Sequence, residues 1–331
     1  VLAPASLEAF EGYLEAAIDR HDDATNRALL RAHFGLDDPQ AQRGKRLRPR
    51  ILFAVAESEG ASPESAFGAA AAVELLHNFS LIHDDIEDRD EVRHGRPTLW
   101  VRFGIPAALG AGDAMCALSY VTLLDGSAPL GDGRAAAMAR CLFRAHHEMT
   151  QGQSYDIGFE SAKSVTFEEY LTMIAGKTAA IFGASCELGA LVAGADVERA
   201  AAYGRVGRSY GLAFQVRDDI LGTWGVSAQT GKPSGADIRR RKWSFPVTWA
   251  MSRSASADRE TVADAYATLG ELDDERAERV IAALERLGAR DAGDDACSRY
   301  IAEAKATAAS FDLDRGGALA AIFDATANRN V

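Results

Sequence analysis

The chain has 331 residues, 47% of them hydrophobic, and a formal net charge of -12. That is enough apolar material for a large core, while 30 glycines and 9 prolines exclude collagen-like and low-complexity classes. A uniformly acidic chain is a poor nucleic-acid binder, so an anionic substrate must be held by local cationic clusters or by metal ions.

Cys116, Cys141, Cys186 and Cys297 lie far apart and form no CxxC pair. Reduced, packed thiols are expected, without disulfides or a zinc site. Val1 to Pro4 show no basic stretch leading into an apolar core, and the most apolar stretches are interrupted by Glu74, Asp113 and Glu187. On this reading no segment spans a membrane, and the expected location is cytoplasmic.

Alanine and leucine are abundant and β-branched alternation is rare, so most segments repeat at helical spacing. The first loop, Gln42 to Pro49, opens the run Arg43-Gly44-Lys45-Arg46-Leu47-Arg48-Pro49-Arg50, with five cations in eight residues. A solvated or nucleic-acid-binding face is the plain reading of such a run. The acidic whole and the absence of interleaved aromatics make a diphosphate-binding loop the better fit.

Ala72, Leu75, Leu76, Phe79 and Ile82 recur at helical spacing and predict a buried helix that ends in Asp84-Asp85-Ile86-Glu87-Asp88. Residues four apart share a helix face, so Asp84 and Asp88 direct two carboxylates to one place. Two close carboxylates repel unless a cation lies between them. Oxygen-only ligands suit a hard ion such as Mg²⁺, which keeps waters and shares itself with substrate phosphates. A lone DxxxD is more simply a solvated helix end. Here the preceding run is strongly apolar, and buried carboxylates need partners.

A second loop, Asp90 to Thr98, carries Gly95 and Pro97. Val206, Tyr210, Ala213 and Val216 predict another apolar helix, ending in Asp218-Asp219. The third loop, Thr223 to Ala236, includes Gly231-Lys232-Pro233. Gly225 to Pro233 has one residue too many for a P-loop, and proline where serine or threonine must stand. From about Asp258 to Phe323 the pattern is one of amphipathic helices with charged outer faces.

Together these residues resemble the trans-isoprenyl diphosphate synthase, or polyprenyl synthetase, family, archaeal-type and bacterial geranylgeranyl diphosphate synthases in particular. The resemblance rests on Gly44-Lys45-Arg46-Leu47-Arg48-Pro49, on His77 through Asp88, and on Arg93-His94-Gly95-Arg96-Pro97-Thr98. It continues through Gly152-Gln153, Asp156, Lys177-Thr178, Phe214-Gln215, Asp218-Asp219, Gly231-Lys232 and Asp237 to Pro246. It covers nearly the whole chain, and the order and spacing of so many motifs make chance similarity untenable.

The resemblance implies an all-α fold, a single large helical bundle around a deep central cavity over residues 1–331, and a homodimer. It implies about three Mg²⁺ ions per active site, the kind of ion that shares itself with substrate phosphate. Asp84 and Asp88 would ligate two and Asp218 the third; Asp85, Asp219 and Asp237 would act through waters or from close by. Arg93, Lys177, Lys232 and Lys242 match contacts to an allylic diphosphate, and Lys45, Arg48 and His77 match the pocket for isopentenyl diphosphate. The cations neutralise a departing diphosphate, the allylic C–O bond ionises, and the double bond of isopentenyl diphosphate attacks in a dry cavity. Oxygens near Lys177, Thr178 and Gln215 would steady the cation.

The chain departs from the family pattern at two positions. Gly222 replaces a third aspartate after Asp218-Asp219, a variant familiar among archaeal-type and bacterial members. His94 stands where a second arginine usually contacts isopentenyl diphosphate.

Growing chains in this family extend away from the metals. Phe79, five residues before Asp84, lies roughly 7–8 Å deeper along the helix at 1.5 Å per residue, and Ser80 beside it is small. This arrangement resembles geranylgeranyl diphosphate synthases, with farnesyl or longer diphosphates as alternatives and ordinary core packing as the plain reading of Phe79. A class I terpene cyclase would carry an Asn/Ser/Glu metal triad on the later helix, which holds Asp218-Asp219 instead. A non-catalytic prenyl-diphosphate-binding subunit would lose metal aspartates or the basic loop, and both are kept. Arginine binds a diphosphate bidentately and is always charged, whereas neutral imidazole offers one donor. His94→Arg is therefore expected to lower KM for isopentenyl diphosphate in steady-state assays; unchanged or weaker binding removes His94 from that pocket.

Overall fold

The computed structural model describes residues 4–20, 23–38, 40–42, 44–225 and 234–327. Among these the chain is all-α apart from one short hairpin, as expected from the sequence. The first half comprises α1 (Pro4–Asp19), α2 (Ala24–Phe34), α3 (Leu47–Ser58), α4 (Phe67–Glu87), strands β1 (Val92–Arg93) and β2 (Arg96–Pro97), α5 (Leu99–Phe103) and α6 (Ile105–Ser127). Then come α7 (Asp132–Glu160), α8 (Phe167–Ile174), a π-helical turn Ala175–Ala179, α9 (Ala180–Ala193) and α10 (Val197–Trp224). The chain ends with α11 (Ala236–Arg239), α12 (Phe245–Met251), α13 (Ala257–Tyr266), α14 (Asp274–Arg286), α15 (Ala289–Ser310) and α16 (Ala318–Ala327).

Two compact units form. One comprises Val1–His146, Ala184–Gly204 and Phe311–Leu319; the other comprises His147–Gly183, Arg205–Ser310 and Ala320–Val331. The first unit is built on α4, which packs against α6. Ala72, Leu75, Leu76, Phe79 and Ile82 are all buried, as their spacing predicts. Edge-to-face contacts join Phe53 to Phe10 and to Phe67 at ring distances of 5.3 and 5.9 Å.

A polar network runs through this core. Arg46, only 5% exposed, precedes α3 in the left-handed region at φ 50°. Its Nε donates to Glu11 Oε1 at 2.6 Å and its Nη1 to Glu74 Oε1 at 2.9 Å. Asn78 Nδ2 also donates to Glu74 Oε1, at 3.1 Å, and His33 Nε2 donates to Asn78 Oδ1 at 3.0 Å. Glu74 is thus an anchor inside the apolar helix. Its burial is tolerated because a guanidinium and an amide satisfy its charge.

The membrane reading needs a correction. By length and composition alone, Pro63–Glu87 and Ile105–Leu130 are long and apolar enough to cross a bilayer. One charge within a run does not lower the average enough to exclude it. The most apolar 18 residues of the first stretch are 72% buried within the protein, as in a core helix; those of the second are 39% buried.

The second unit packs Tyr170, Trp243, Phe245, Tyr266, Val280 and Leu284 into one cluster. Val206, Tyr210, Ala213 and Val216 of α10 are buried as predicted. A capping box starts α8: Thr166 Oγ1 accepts from Glu169 N, and Glu169 Oε2 accepts from Thr166 N. Cys141, Cys186 and Cys297 are buried thiols and Cys116 is half-buried; all four are unbridged.

Two half-buried imidazoles make the first unit acid-sensitive. Burial pushes His33 down to about 3, and burial followed by the charge of Arg48 holds His77 well below its ordinary range. The folded state therefore refuses protons that the unfolded chain accepts. This stability is present above the ordinary histidine value and lost as pH falls below it, by at most about 1.4 kcal/mol per pH unit per histidine. The melting temperature is expected to drop progressively from about pH 7 to pH 5. His33→Gln should flatten that profile, and an unchanged slope would remove His33 as its source.

Candidate active site

In the first unit the aspartate pair closes α4. Asp85 is 3% exposed, and Arg93 Nε donates to its Oδ1 at 2.7 Å. Burial pushes the Asp85 carboxyl up to about 6, opposed by the charge and hydrogen bond of Arg93. Turning Asp85 inward leaves Asp84 and Asp88 half-buried on another face. The bond from Asp88 N to Asp84 O, 2.8 Å, shows that the helical spacing persists to Asp88.

Arg93 is delivered by the β1–β2 hairpin, in which Arg93 pairs with Arg96. The two-residue turn is His94-Gly95, with φ of 52° and 73°. Both central residues at positive φ match the twist of a tight hairpin. His94 lies exposed at the tip, its imidazole pushed down by partial burial and then by Arg93 and Arg96. The span read as a loop, Asp90 to Thr98, is thus an ordered hairpin.

The basic run divides by burial. Arg46 is internal, and Arg96 of the hairpin donates to the carbonyls of Ala32 and His33 at 3.0 and 2.9 Å. Both are structural cations. Lys45 is exposed and Arg48 half-buried. The charges of Arg48 and Arg93 reinforce burial in keeping His77 neutral, which ties these three residues together. Arg43 lies outside the described residues. Phe79 is buried, and half-buried Ser80 donates its hydroxyl to His77 O at 2.8 Å.

In the second unit Asp219 closes a hydrogen-bonded chain. It is 6% exposed; Oδ2 accepts from Tyr170 Oη at 2.7 Å and Phe245 N at 2.8 Å, and Oδ1 accepts from Gln215 Nε2 at 2.8 Å. Gln215 Oε1 in turn accepts from Thr178 Oγ1 at 2.6 Å. Burial pushes Asp219 up to about 6, opposed first by the Phe245 N–H and then by Tyr170. Asp218 is left half-buried beside it. The sequence reading missed Tyr170. Its only signal is that of a buried helical aromatic, since nothing local marks a partner 49 residues away.

Lys177 and Thr178 sit in the π-helical turn, a geometry frequent at functional sites. Lys177 Nζ contacts Asp156 Oδ2 at 2.5 Å. The contact depends on Gly152, where a Cβ would lie 2.1 Å from Lys177 N. Glycine therefore lets α7 and the π turn meet backbone to backbone, which accounts for Gly152 and for the reach of Lys177 to Asp156. Lys242 is half-buried, with its backbone N–H on Asp237 O at 2.9 Å. Lys232 and Gly231 lie outside the described residues.

Gly222 has a physical reason. A Cβ there would fall 1.9 Å from Asp237 Oδ2. Position 222 shares a helix face with Asp218, one turn on. The carboxylate of Asp237, from α11, therefore occupies the space that a third aspartate of α10 would fill.

Among the described residues no three His, Cys, Asp or Glu side chains converge into a ready-made metal cage. The donors near Asp84 and Asp218 are carboxylate oxygens, and the cradle at Gly222 is filled by another. This set fits a hard ion that completes its shell with water and substrate oxygens, and does not fit zinc or a soft metal.

This all-α architecture is the one shared by solved polyprenyl and geranylgeranyl diphosphate synthases. Residues 36–284 match the family model described as Polyprenyl synthetase. A (2E,6E)-farnesyl diphosphate synthase of Mycobacterium tuberculosis (strain H37Rv) is 44% identical over 246 residues, 73% of this chain and 67% of the relative. A geranylgeranyl diphosphate synthase of the same strain is 42% identical over 241 residues, 72% of this chain and 68% of the relative. The crystal structure of a polyprenyl synthetase from Streptomyces coelicolor A3(2) superposes with a TM-score of 0.85 at 34% identity, covering 97% of this chain and 98% of that one. The chain belongs to the polyprenyl synthetase family, whose enzymes are trans-isoprenyl diphosphate synthases, that is, prenyltransferases.

Restoring the family's third aspartate should harm this chain. Gly222→Asp drives a side chain into Asp237 and sets two carboxylates together. A loss of about 1–3 kcal/mol, the usual range for overpacking, is expected in thermal or denaturant unfolding, with reduced turnover. A Gly222→Asp variant as stable and active as the wild type would refute this account of the glycine.

Proposed function

We propose that the protein catalyses the magnesium-dependent, head-to-tail condensation of isopentenyl diphosphate with an allylic prenyl diphosphate. The observation that carries this reading is the division of labour within each aspartate pair: Asp85 and Asp219 are buried and hydrogen-bonded, which leaves Asp84, Asp88 and Asp218 half-buried on other faces. Asp84, Asp88 and Asp218 would hold the ions, with Asp237 beside Asp218. When bound, Mg²⁺ supplies charge neutralisation to the departing diphosphate.

The chain's own residues do the rest. Arg93, Lys177, Lys232 and Lys242 bind the allylic diphosphate, and Lys45, Arg48, His77 and His94 receive isopentenyl diphosphate. A neutral His77 offers one N–H donor and no competing charge. Asp156 orients Lys177, and Asp219 positions Gln215, whose amide bonds Thr178. Oxygens of this Thr178–Gln215 pair steady the allylic cation as it forms. No side-chain base is required, since the released diphosphate takes the proton.

Geranylgeranyl diphosphate is the product we favour, because Phe79 lies buried one turn and a half below Asp84 with the small Ser80 beside it. Farnesyl diphosphate is the alternative, and relatives naming each product differ by only two points of identity, 44% against 42%. We read residues 1–331 as one synthase domain, since the family match draws on both compact units. A second copy of the chain is the natural cover for the apolar face of α6, where Ile105, Leu109, Val121 and Leu124 are exposed. We therefore read the protein as a homodimer, and keep the cytoplasmic location expected from the sequence.

Incubation with isopentenyl diphosphate, each allylic primer and Mg²⁺, followed by chain-length analysis, tests the reaction and the product together. Asp84→Ala should lower kcat by at least about a hundredfold, the scale of losing one electrostatic stabiliser. Condensation that survives Asp84→Ala intact would overturn the assignment of the first metal site.

A further inference from the structure

The hairpin that delivers Arg93 is too short to hold itself. Each strand has two residues, and the tip, His94-Gly95, is exposed. Isolated hairpins are marginal in water even when they are longer. The base is tied to α4: Thr98 Oγ1 and Trp100 Nε1 donate to Asp90 O at 3.0 and 2.9 Å, and Asp90 N donates to Asp85 O at 2.9 Å. Beyond the base, among the described residues, two arginine side chains tether the hairpin. Arg93 of β1 reaches Asp85 of α4, and Arg96 of β2 reaches α2.

Arg96 closes the end of α2. Its Nη1 and Nη2 donate to the carbonyls of Ala32 and His33, two of the last four in the helix, where oxygens lack intrahelical partners. A cation there also meets the negative end of the helix dipole. Arg96 Nε is buried with no partner, so these two carbonyls orient the guanidinium. The seat depends on Gly35, which ends α2 at φ 66°; a Cβ on it would lie 2.4 Å from Arg96 Nη1. Helix α2 is fixed in turn to α4, where His33 Nε2 meets Asn78 Oδ1 at 3.0 Å. Hairpin, α2 and α4 thus form a closed triangle of contacts.

The two substrate-binding side chains of the hairpin are not held alike. Arg93 has its own anchor on Asp85. No comparable hydrogen bond holds the His94 side chain among the described residues, so the backbone of the turn sets its place, and Arg96 follows directly after that turn. The charge of Arg46, which stands between Lys45 and Arg48 in the chain, reaches His94. We propose that Arg96 is a positioning residue for isopentenyl diphosphate: by capping α2 it fixes the hairpin tip, and His94 with it, relative to Lys45 and Arg48. A site ordered in advance loses less freedom on binding. Arg96 acts in this way only if Lys45, Arg48 and His94 receive isopentenyl diphosphate, as proposed above.

The test combines steady-state kinetics with hydrogen exchange of the hairpin amides, on full-length variants. The substrates are isopentenyl diphosphate, Mg²⁺, and whichever of geranyl or farnesyl diphosphate the wild type extends. Arg96→Met keeps the apolar stem and removes the fork. It should raise KM for isopentenyl diphosphate about tenfold, while kcat and KM for the allylic primer stay within about threefold because Arg93 keeps Asp85. Arg96→Lys keeps the charge at the helix end without the fork and should give an intermediate KM. Gly35→Ala crowds the guanidinium from the other side and should shift KM in the same direction. In Gly35→Ala/Arg96→Met the two effects should not add, since both act on one contact. Hairpin amides should exchange about tenfold faster in Arg96→Met, with those of the second compact unit unchanged.

A purely structural role would lower the folded fraction and the apparent kcat and leave both KM values unchanged, and that result would overturn the proposal. So would an equal rise in both KM values, additive effects of Gly35→Ala and Arg96→Met, or unchanged hairpin exchange. Should Arg96→Met not fold, Arg96→Lys carries the same KM and exchange tests. A wild type that extends no primer would instead refute the proposed function, while hydrogen exchange would still decide whether Arg96 holds the hairpin.

Discussion

Burying a carboxylate is costly, and each compact unit does so beside the aspartates of the proposed metal site. Asp85 is compensated by Arg93, and Asp219 by Tyr170, Gln215 and the backbone of Phe245. Those bonds fix the rotation of α4 and α10 about their own axes. With Asp85 turned inward, Asp84 and Asp88 lie together to one side of it, roughly 100° and 60° round the helix, and both remain half-buried. Once Asp219 points inward, Asp218 is committed in the same way. The raised carboxyl values of Asp85 and Asp219 have the same origin, since burial opposes ionisation and the hydrogen bonds only partly restore it.

The cations obey the same rule. Arg46 and Arg96 are held inside the first unit by carboxylates and carbonyls, whereas Lys45 and Arg48 are left nearer the surface. Among the described residues of the basic run, burial alone therefore separates the internal Arg46 from Lys45 and Arg48. In the second unit Gly152 and the π turn bring Lys177 to Asp156. A cation already paired is oriented before any substrate arrives, which lowers the ordering cost of binding.

Much of this was legible in the sequence. The apolar periodicity before Asp84 and before Asp218 located both helices, and the i, i+4 spacing placed Asp84 and Asp88 together. The loop cations were visible as composition. Other features were not, because they depend on residues distant along the chain. Glu74 read as a break in an apolar run and proved to be its anchor, since Glu11 and Arg46 lie far off in sequence. Arg46 was indistinguishable from its neighbours in the basic run. Tyr170 carried no local signal at all. Gly222 read as a lost ligand, although its real meaning is the room it leaves for Asp237.

What the sequence determined by itself is everything carried by period and local chemistry: an all-α chain, two helices ending in aspartate pairs, basic loops near each, and membership in a family that uses them. Those properties follow from spacing along a single segment. Only the tertiary structure decided which member of each aspartate pair faces inward and which cations are internal. It also decided that Asp237 fills the gap at Gly222, and that Arg96 closes the end of α2. These are questions of which side chains lose their water together, and desolvation is settled by packing between segments that the sequence keeps far apart.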